Sequence, residues 1–326
     1  MKALRFTAAD TLSVDDLEVP RIAPDEVLVA ARSVGICHSD IELLEGRYII
    51  PFSYPIIPGH EWAGEVAETG AAVTDLAVGD RVVGECVIGD DHFGFSVSGA
   101  AAEFFVAKPA WLHRLPDSLS FTDGALVEPF SCGYNALVKA GNVNASDTVV
   151  VFGAGPIGLG VTAGAAALGA RTITVEPAAG RGEAARKLGA ELVLDPSAAP
   201  IAEQVAEATG GTGGTVVVEA TGRTAVMADA LEVAAHRARI VYVGIDVGGS
   251  SPAKLGLLQS KELSVRGIAG SPGVWPDTLR FMNRAGIDLS DLVTSRFPVE
   301  RAAEAIAASR DTAKNIKVHL EFGATR

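Results

Sequence analysis

The feature that most constrains the fold is a glycine-rich turn between two apolar segments. Residues 149–152 are apolar, and Gly153, Gly155 and Gly158 follow them in the spacing G-x-G-x-x-G. A stretch of small and apolar residues then leads to a second apolar segment, which ends at Glu176. This order of strand, glycine turn, helix, strand and acid is typical of a βαβ unit that binds a dinucleotide.

The residues of this turn have separate physical roles. Gly153 permits the tight turn, Gly155 lets a pyrophosphate approach the backbone, and Gly158 lets the helix pack against the strand. Pro156 and Ile157 stand at the start of the helix, where free N–H groups and the helix dipole attract phosphate. We predict that these five residues bind the phosphates of a coenzyme.

The acid at the end of the second strand bears on which coenzyme is used. Glu176 lies 18 residues beyond Gly158, where a carboxylate accepts hydrogen bonds from the adenosine ribose. The same carboxylate would repel a 2′-phosphate, so the sequence favours NAD over NADP. Arg181 follows shortly afterwards, and we expect it to pack beside the adenine or the pyrophosphate.

Composition limits the possible partners and the compartment. A formal charge of −13 argues against binding to nucleic acid or to an anionic membrane surface. No apolar span of the length of a transmembrane helix is present, and the first residues lack the apolar core of a signal peptide. The three cysteines, Cys37, Cys86 and Cys132, cannot form a paired disulfide framework. We therefore expect a cytoplasmic protein.

The chain changes character twice along its length. The first part has short alternating segments with many turn signals, which favours a barrel-like or sandwich-like unit. From about residue 121, apolar runs alternate with alanine-rich helical stretches, which predicts a doubly wound parallel sheet of the α/β class. After residue 267 the pattern becomes irregular again. We predict one domain from residues 1–122 and 271–326 and a second, NAD-binding domain from residues 123–270.

Several residues outside the glycine turn are candidate metal ligands. Cys37 and His60 are of the types that hold zinc, and Glu61 and Glu128 offer a carboxylate as a third ligand. Glu128 stands inside an apolar segment, where a carboxylate is costly to bury unless it is paired or bound to metal. Taken singly, Cys37 could be a small buried apolar residue, His60 a structural histidine and Glu61 a surface residue.

Longer motifs extend these observations over nearly the whole chain: GICHSD at 35–40, GHEWAGEV at 59–66, VGDRV at 78–82, LVEPFSCGYNAL at 126–137, VVVFGAGPIGLG at 149–160, VVEATG at 217–222, ARIVYVG at 238–244, RFPVERAAEAI at 296–306 and KVHLEF at 317–322. In this order they resemble the zinc-dependent medium-chain alcohol dehydrogenases. The Val-Glu-Pro at 127–129 and Val-Trp-Pro at 274–276 are most similar to the polyol and threonine dehydrogenase branch.

The resemblance implies a Rossmann domain beside a β-rich, GroES-like catalytic domain, in a homodimer or homotetramer. It also implies a catalytic zinc held by Cys37 and His60, together with Glu61 or Glu128. Most relatives bind a second, structural zinc through four closely spaced cysteines. This chain has three cysteines in all, so we predict one zinc per subunit.

The same resemblance assigns roles near the zinc ligands. Ser39 is placed to take the proton of the substrate hydroxyl, and Asp40 to accept a hydrogen bond from the free nitrogen of His60. Glu42 stands where many relatives have a histidine that carries the proton onward, and His38 where a residue touches the pyrophosphate. The alternatives are a turn or helix cap for the Ser39–Asp40 pair, an exposed histidine and a solvated glutamate.

We predict an NAD-dependent and zinc-dependent dehydrogenase that oxidises a small polar alcohol: the secondary hydroxyl of a polyol, cyclitol or aminocyclitol. Its choice of substrate is expected to depend on loops 48–54, 92–95 and 271–275. L-Threonine 3-dehydrogenase, or a related amino-alcohol dehydrogenase, is the alternative within the branch. A zinc-free reductase of the same superfamily and a non-catalytic NAD-binding protein are the further alternatives, because fold alone does not fix function.

Overall fold

The protein is described by a computed structural model over residues 1–323. It divides into two compact units, of which unit 1 comprises Met1–Glu128 and Trp275–Arg326, and unit 2 comprises Pro129–Val274. The boundaries predicted from the sequence, after residues 122 and 270, lie six and four residues earlier in the chain.

The first part of unit 1 is built mainly of short strands, with one helix between β3 and β4 and another after β9. The helices are α1 (His38–Leu44) and α2 (Phe121–Ala125), and the strands are β1 (Lys2–Ala8), β2 (Thr11–Asp16), β3 (Val27–Ile36), β4 (Glu61–Thr69), β5 (Arg81–Gly84), β6 (Val87–Ile88), β7 (Asp91–His92), β8 (Phe104–Ala107) and β9 (Leu112–Arg114).

Strands and helices alternate through unit 2, as the sequence predicted. The helices are α3 (Val127–Ala140), α4 (Pro156–Ala167), α5 (Ala179–Lys187), α6 (Ile201–Ala208), α7 (Thr224–Val233) and α8 (Leu257–Ser260). The strands are β10 (Thr148–Phe152), β11 (Arg171–Val175), β12 (Leu192–Leu194), β13 (Gly214–Glu219), β14 (Ala234–Tyr242) and β15 (Ser264–Gly267). The chain then returns to unit 1 with α9 (Trp275–Ala285), β16 (Val293–Pro298), α10 (Ala302–Arg310) and β17 (Lys317–Glu321).

The sheet of unit 2 is parallel and covered on both faces. Its strand order is β12-β11-β10-β13-β14-β15. Along β10, Val149 and Val151 belong to one buried cluster, while Val150 and Phe152 belong to another. The strand order reverses between β10 and β13, and open sheets of this kind bind nucleotides at such a reversal. The doubly wound α/β fold predicted from the sequence is confirmed.

The sheet of unit 1 is centred on β3 and confirms the predicted β-rich GroES-like domain. Strands β4, β8 and β17 all pair with β3 in antiparallel fashion. In this register Gly35 lies opposite Glu61 on β4, and Ile36 lies opposite Val318 on β17. The start of β4 and the start of β17 therefore flank the end of β3, immediately before Cys37.

No helix within residues 1–323 combines the length and the apolar character that a membrane-spanning helix requires.

Candidate functional site

Three of the four predicted metal ligands come together in unit 1. Cys37, His60 and Glu61 each offer one ligand atom, and these atoms lie within 4.8 Å of one another. Cys37 directly precedes α1 and is the N-cap residue of that helix. Gly59 has a φ of +96°, and this turn lies immediately before His60 and the start of β4. A sulfur, an imidazole nitrogen and a carboxylate oxygen form a donor set that suits zinc.

Asp40 links the two segments that carry these ligands. It is 2% exposed, and its Oδ2 accepts a hydrogen bond of 2.8 Å from the backbone N–H of Cys37. Its Oδ1 lies 3.4 Å from Nδ1 of His60. That distance is longer than a well-formed N–H···O bond, so the contact is chiefly electrostatic. Burial lowers the pKa of His60, but the interactions with Asp40, Cys37 and Cys86 together outweigh burial, and the pKa lies well above its usual value.

The other residues predicted near the metal lie on α1. Ser39 Oγ is 3.5 Å from Nε2 of His60, at the long limit of a hydrogen bond. Glu42 is partly exposed and accepts a 2.8 Å hydrogen bond from the guanidinium of Arg47. His38 is largely exposed, and its Nε2 lies 3.9 Å from the Glu42 carboxylate. Ser39 is thus the member of this set that reaches the metal ligands.

A buried lysine beside the metal ligands was not identified from the sequence. Lys317 begins β17, is 4% exposed, and donates to both carboxylate oxygens of Glu61, at 2.7 and 2.6 Å. Burial disfavours its charged form, but Glu61, Cys37 and Glu128 together outweigh burial and raise the pKa of Lys317. The signal in the sequence was a lysine within the apolar segment 316–322, and it indicated a buried partner of opposite charge.

The fourth predicted ligand, Glu128, is not a member of the three-residue group. It is half-buried near the start of α3, and its charge acts on both Lys317 and Cys86. Burial raises the pKa of the Cys86 thiol to about 12, with Glu128 contributing. A thiol with such a pKa is protonated at neutral pH, which suits packing better than metal binding.

The loops expected to face the substrate differ in their surroundings. Tyr48 stacks on Phe95 with ring centroids 4.2 Å apart, and Phe95 in turn contacts the His60 ring at 4.7 Å. Loops 48–54 and 92–95 therefore reach the metal ligands. By contrast, Ser271 is buried and accepts a hydrogen bond from the hydroxyl of Ser131, and Trp275 is 2% exposed. The expectation that residues 271–275 contribute to the choice of substrate stays a prediction.

The glycine turn has the geometry that a phosphate-binding loop requires. Gly153 adopts a φ of +92°, which favours glycine, and Gly155 caps α4 just before Pro156 and Ile157. A Cβ atom on Gly158 would lie 1.9 Å from the carbonyl oxygen of Gly153, so no side chain fits at this position. The helix N-terminus therefore approaches the strand closely and presents free N–H groups at the turn.

Glu176 and Arg181 both lie at this turn. One Glu176 oxygen accepts a 2.8 Å hydrogen bond from the N–H of Ala154, and the other accepts a 2.9 Å bond from the N–H of Ala178. An Arg181 guanidinium nitrogen lies 4.0 Å from the position that a Cβ on Gly155 would occupy. Unit 2 thus places an acid and a base around the predicted phosphate site.

Two families of known proteins match this chain. Residues 23–117 match the family described as the alcohol dehydrogenase GroES-like domain, and residues 156–284 match the zinc-binding dehydrogenase family. Sorbitol dehydrogenase of Bacillus subtilis is 30% identical, over 94% of this chain and 92% of its own. (R,R)-Butanediol dehydrogenase of Neisseria gonorrhoeae is 32% identical, over 92% of this chain and 93% of its own.

A solved structure agrees with this assignment over the full chain. It is a protein of Sinorhizobium meliloti assigned as a zinc-binding dehydrogenase and bound to NADP. It superimposes with a TM-score of 0.92 at 26% identity and covers 98% of this chain and 99% of its own. The alternative of a non-catalytic NAD-binding protein is therefore set aside. The chain belongs to the zinc-dependent medium-chain alcohol dehydrogenases, in their polyol dehydrogenase branch, and is an oxidoreductase that uses zinc and a nicotinamide coenzyme.

Proposed function

We propose that the protein transfers a hydride between NAD and the secondary hydroxyl of a polyol, a cyclitol or a vicinal amino alcohol. The observation that carries this proposal is the group formed by Cys37, His60 and Glu61, with atoms within 4.8 Å of one another. One thiolate with an imidazole and carboxylates is a harder donor set than two thiolates. It therefore favours substrates that are rich in oxygen or nitrogen.

The metal and the protein supply different parts of the chemistry. Zinc held by Cys37, His60 and a carboxylate acts as a Lewis acid that lowers the pKa of a hydroxyl group. Ser39 lies beside His60 and accepts the proton that the substrate loses. Asp40 holds both ligand-bearing segments and so fixes the orientation of the His60 ring.

The proton then needs a path to solvent. Glu42 follows Ser39 by three positions on α1, so the two side chains lie on neighbouring parts of the same helix face. Glu42 is partly exposed and is held by Arg47. We assign it the step from the site to bulk water, in place of the histidine found in many relatives.

The coenzyme is proposed to be NAD. The Glu176 carboxylate lies at the glycine turn, where it favours a free ribose and disfavours an added phosphate. The structurally similar protein of Sinorhizobium meliloti is bound to NADP, so the fold by itself does not exclude that coenzyme. Arg181 stands close enough to the turn to contact the coenzyme, so the balance between Glu176 and Arg181 decides the preference.

The substrate class follows from the metal ligands and from the relatives. Sorbitol and butanediol, which name the two relatives, both carry neighbouring hydroxyl groups. A substrate with a second hydroxyl or amine beside the reacting carbon offers an additional polar contact at such a site. We expect polyols, cyclitols or vicinal amino alcohols to exceed ethanol by at least ~100-fold in kcat/KM, or about 2.7 kcal/mol of transition-state stabilisation.

A substrate screen tests the proposal. The purified enzyme is incubated with NAD and a panel of sugar alcohols, cyclitols, aminocyclitols, vicinal diols, L-threonine and ethanol, and NADH absorbance is followed. Transfer of deuterium from the carbinol carbon to NAD identifies hydride transfer. Highest efficiency with L-threonine would select the amino-alcohol alternative. Efficiency with ethanol comparable to that with the best polyol would reject the proposed substrate class.

A further inference from the structure

A cavity of about 190 Å³ lies within unit 2, beside the end of α3 and the strands β14 and β15. Its volume is several times the ~30 Å³ that one water molecule occupies in the liquid. Three of the residues around it are cationic, and none of the described residues that line it is acidic. The lining includes Lys139, Ala140, Arg239, Val241, Ser264 and Arg266.

The register of β14 and β15 brings the polar side chains of the lining to one face of the sheet. Ser264 lies opposite Arg239, and Arg266 lies opposite Val241. Val241 belongs to the same buried cluster as Ala140 of α3, so this face is the one that α3 covers. Alternate residues of a strand share a face. The side chains of Arg239, Ser264 and Arg266 therefore project to the side of the sheet where α3 ends.

The guanidinium group of Arg239 is fixed by the end of α3. Its Nη1 donates to the carbonyl oxygen of Gly141 and lies 3.5 Å from that of Ala140, and its Nη2 donates to the carboxylate of Asp147. A guanidinium group has five N–H donors, and these three contacts leave two of them without an acceptor among residues 1–323. Arg239 is thus held in position and still has donors for a ligand.

The positive charges around the cavity are only partly neutralised. Asp147 is 7% exposed, and its ion pair with Arg239 cancels one of the three cations. Lys139 and Arg266 are exposed, and neither of them forms an ion pair within the described part of the chain. Two positive charges therefore remain at this cavity, in a chain whose formal charge is −13. A concave site lined by charges of one sign attracts ions of the opposite sign.

The cavity is separate from the glycine turn of the same unit. The turn follows Phe152, the last residue of β10, which is level in the sheet with Glu219 and Tyr242. Arg239 precedes Tyr242 by three positions, or about 10 Å along the strand, toward the amino end of β14. The strand β13 also lies between β10 and β14. A ligand in the cavity is therefore not the coenzyme pyrophosphate that the turn is predicted to bind.

We propose that this cavity is a binding site for a phosphate group, carried either by inorganic phosphate or by a small phosphate ester. Guanidinium groups present paired N–H donors that match phosphate oxygens, and the ammonium of Lys139 and the hydroxyl of Ser264 add further donors. Since the charged groups of the lining can only donate hydrogen bonds, they select an anion that is rich in acceptors. The site goes beyond the proposed function because it involves neither the zinc ligands nor the glycine turn.

The first experiment is a calorimetric titration of the zinc-loaded enzyme with inorganic phosphate, methyl phosphate and chloride, in the presence of saturating NAD. The coenzyme occupies the glycine turn, so phosphate must bind elsewhere. We expect a dissociation constant of ~1 mM or tighter for at least one of the two phosphates, and no binding of chloride at the same concentration. The phosphate that binds more tightly identifies the source. Binding of neither phosphate, or equal binding of chloride, would overturn the proposal.

The second experiment locates the bound phosphate. Arg266→Gln and Lys139→Gln each remove one exposed cation of the cavity, and we expect each to raise the dissociation constant by ~5-fold or more. Arg186→Gln and Lys187→Gln are matched controls, because they remove exposed cations from the last turn of another helix of unit 2, α5. Both controls should bind phosphate as the wild type does.

The variants also exclude the other places where phosphate could bind. Phosphate bound at the zinc or at the glycine turn would keep its wild-type affinity in Arg266→Gln and Lys139→Gln, and that result would overturn the proposal. An equal loss of affinity in the α5 variants would also overturn it, because it would indicate a general effect of surface charge. An enzyme that does not bind NAD would contradict the proposed function instead, and the same variants would then be compared without coenzyme.

Discussion

The carboxylate of Glu176 accepts a 2.8 Å hydrogen bond from the backbone N–H of Ala154, inside the glycine turn between β10 and α4. Its second carboxylate oxygen accepts a hydrogen bond from the backbone N–H of Ala178, two residues further along the chain. The residue predicted to bind the ribose therefore also holds the turn that is predicted to bind the pyrophosphate. We therefore predict that recognition of the ribose and of the pyrophosphate is coupled through the Glu176 side chain.

This coupling predicts the effect of Glu176→Gln. The amide keeps one acceptor but places an NH2 group opposite a backbone N–H, so one hydrogen bond is lost and a donor faces a donor. A loss of about 1–3 kcal/mol would raise the KM for NAD roughly 5-fold to 150-fold. The preference for NAD over NADP should also narrow, because the charge that repels a 2′-phosphate is gone.

Steady-state kinetics with both coenzymes measure these changes. Glu191→Gln is a matched control in the same unit, because Glu191 is exposed and bonded to Arg171 on the surface. That variant should keep the wild-type KM. An unchanged KM for NAD in Glu176→Gln, or a wild type that prefers NADP, would contradict the assignment of Glu176.

Substitution of two helical glycines of unit 2 by alanine should change the stability of the protein in opposite directions. In Gly158→Ala the added Cβ would lie 1.9 Å from the Gly153 carbonyl, so helix α4 must move. We expect a loss of at least about 2 kcal/mol in the free energy of unfolding, together with weak NAD binding. Gly180 in α5 has open space at this position, and Gly180→Ala should be neutral or stabilising by about 0.5–1 kcal/mol. Denaturant unfolding measures the stability of the two variants, and calorimetric titration measures their affinity for NAD. Equal stability and equal affinity in Gly158→Ala and Gly180→Ala would reject the packing argument.

The metal content provides another test. We expect about one zinc per subunit, and chelation should abolish turnover while NAD binding persists, because the glycine turn needs no metal. Cys37→Ala should lose zinc and activity. Cys132→Ala, a buried cysteine of unit 2, should retain both. Elemental analysis that gives two zinc ions, or full activity in Cys37→Ala, would disprove the assignment.

The buried His319 predicts how stability depends on pH. Burial, assisted by the charges of Lys317 and Arg296, lowers the pKa of His319 well below its usual value, and its Nδ1 lies 2.8 Å from Ser33 Oγ. The folded protein therefore keeps this ring neutral, while the unfolded chain takes up a proton below about pH 6.5. Above that pH the ring is neutral in both states, so the free energy of unfolding is not reduced by protonation of His319 in the unfolded chain. It declines on acidification, by at most about 1.4 kcal/mol per pH unit.

The prediction is checked with His319→Asn, which retains a polar group toward Ser33 but does not titrate. Urea unfolding at a series of pH values should give a flatter dependence on the acid side than in the wild type. His236→Asn serves as the control because the His236 side chain is exposed. If His319→Asn and the wild type lose stability in parallel, the buried ring is not the source.

Local spacing explains what could be predicted from the sequence. The glycine turn, its strand and its acid lie within 28 residues, so their relation is fixed by one βαβ unit. Cys37 directly follows β3 and His60 directly precedes β4, its neighbour in the sheet, and the motifs around them indicated a shared site. The alternation of apolar runs and helices predicted the parallel sheet of unit 2. These features depend on contacts that are near in sequence or on a regular period.

Long-range register explains what could not be predicted. Lys317 and Glu61 are separated by 256 positions, and their contact depends on β17 and β4 pairing with opposite edges of β3. A shift of either strand by one residue would turn the side chain to the other face. The stack of Tyr48 on Phe95 likewise depends on two loops whose conformations no periodic pattern fixes.

The distance along the chain between Glu61 and Lys317 also sets an order of assembly. All of unit 2 is synthesised between them, so β4 leaves the ribosome long before the strand that neutralises its first residue. Until β17 arrives, Glu61 has no ammonium group opposite it, and β3 has one free edge at the metal ligands. Unit 2 has no such dependence, because its strands are contiguous in the chain. The nascent protein can therefore complete its coenzyme-binding half first, while the half that holds zinc matures only after the last strand has been added.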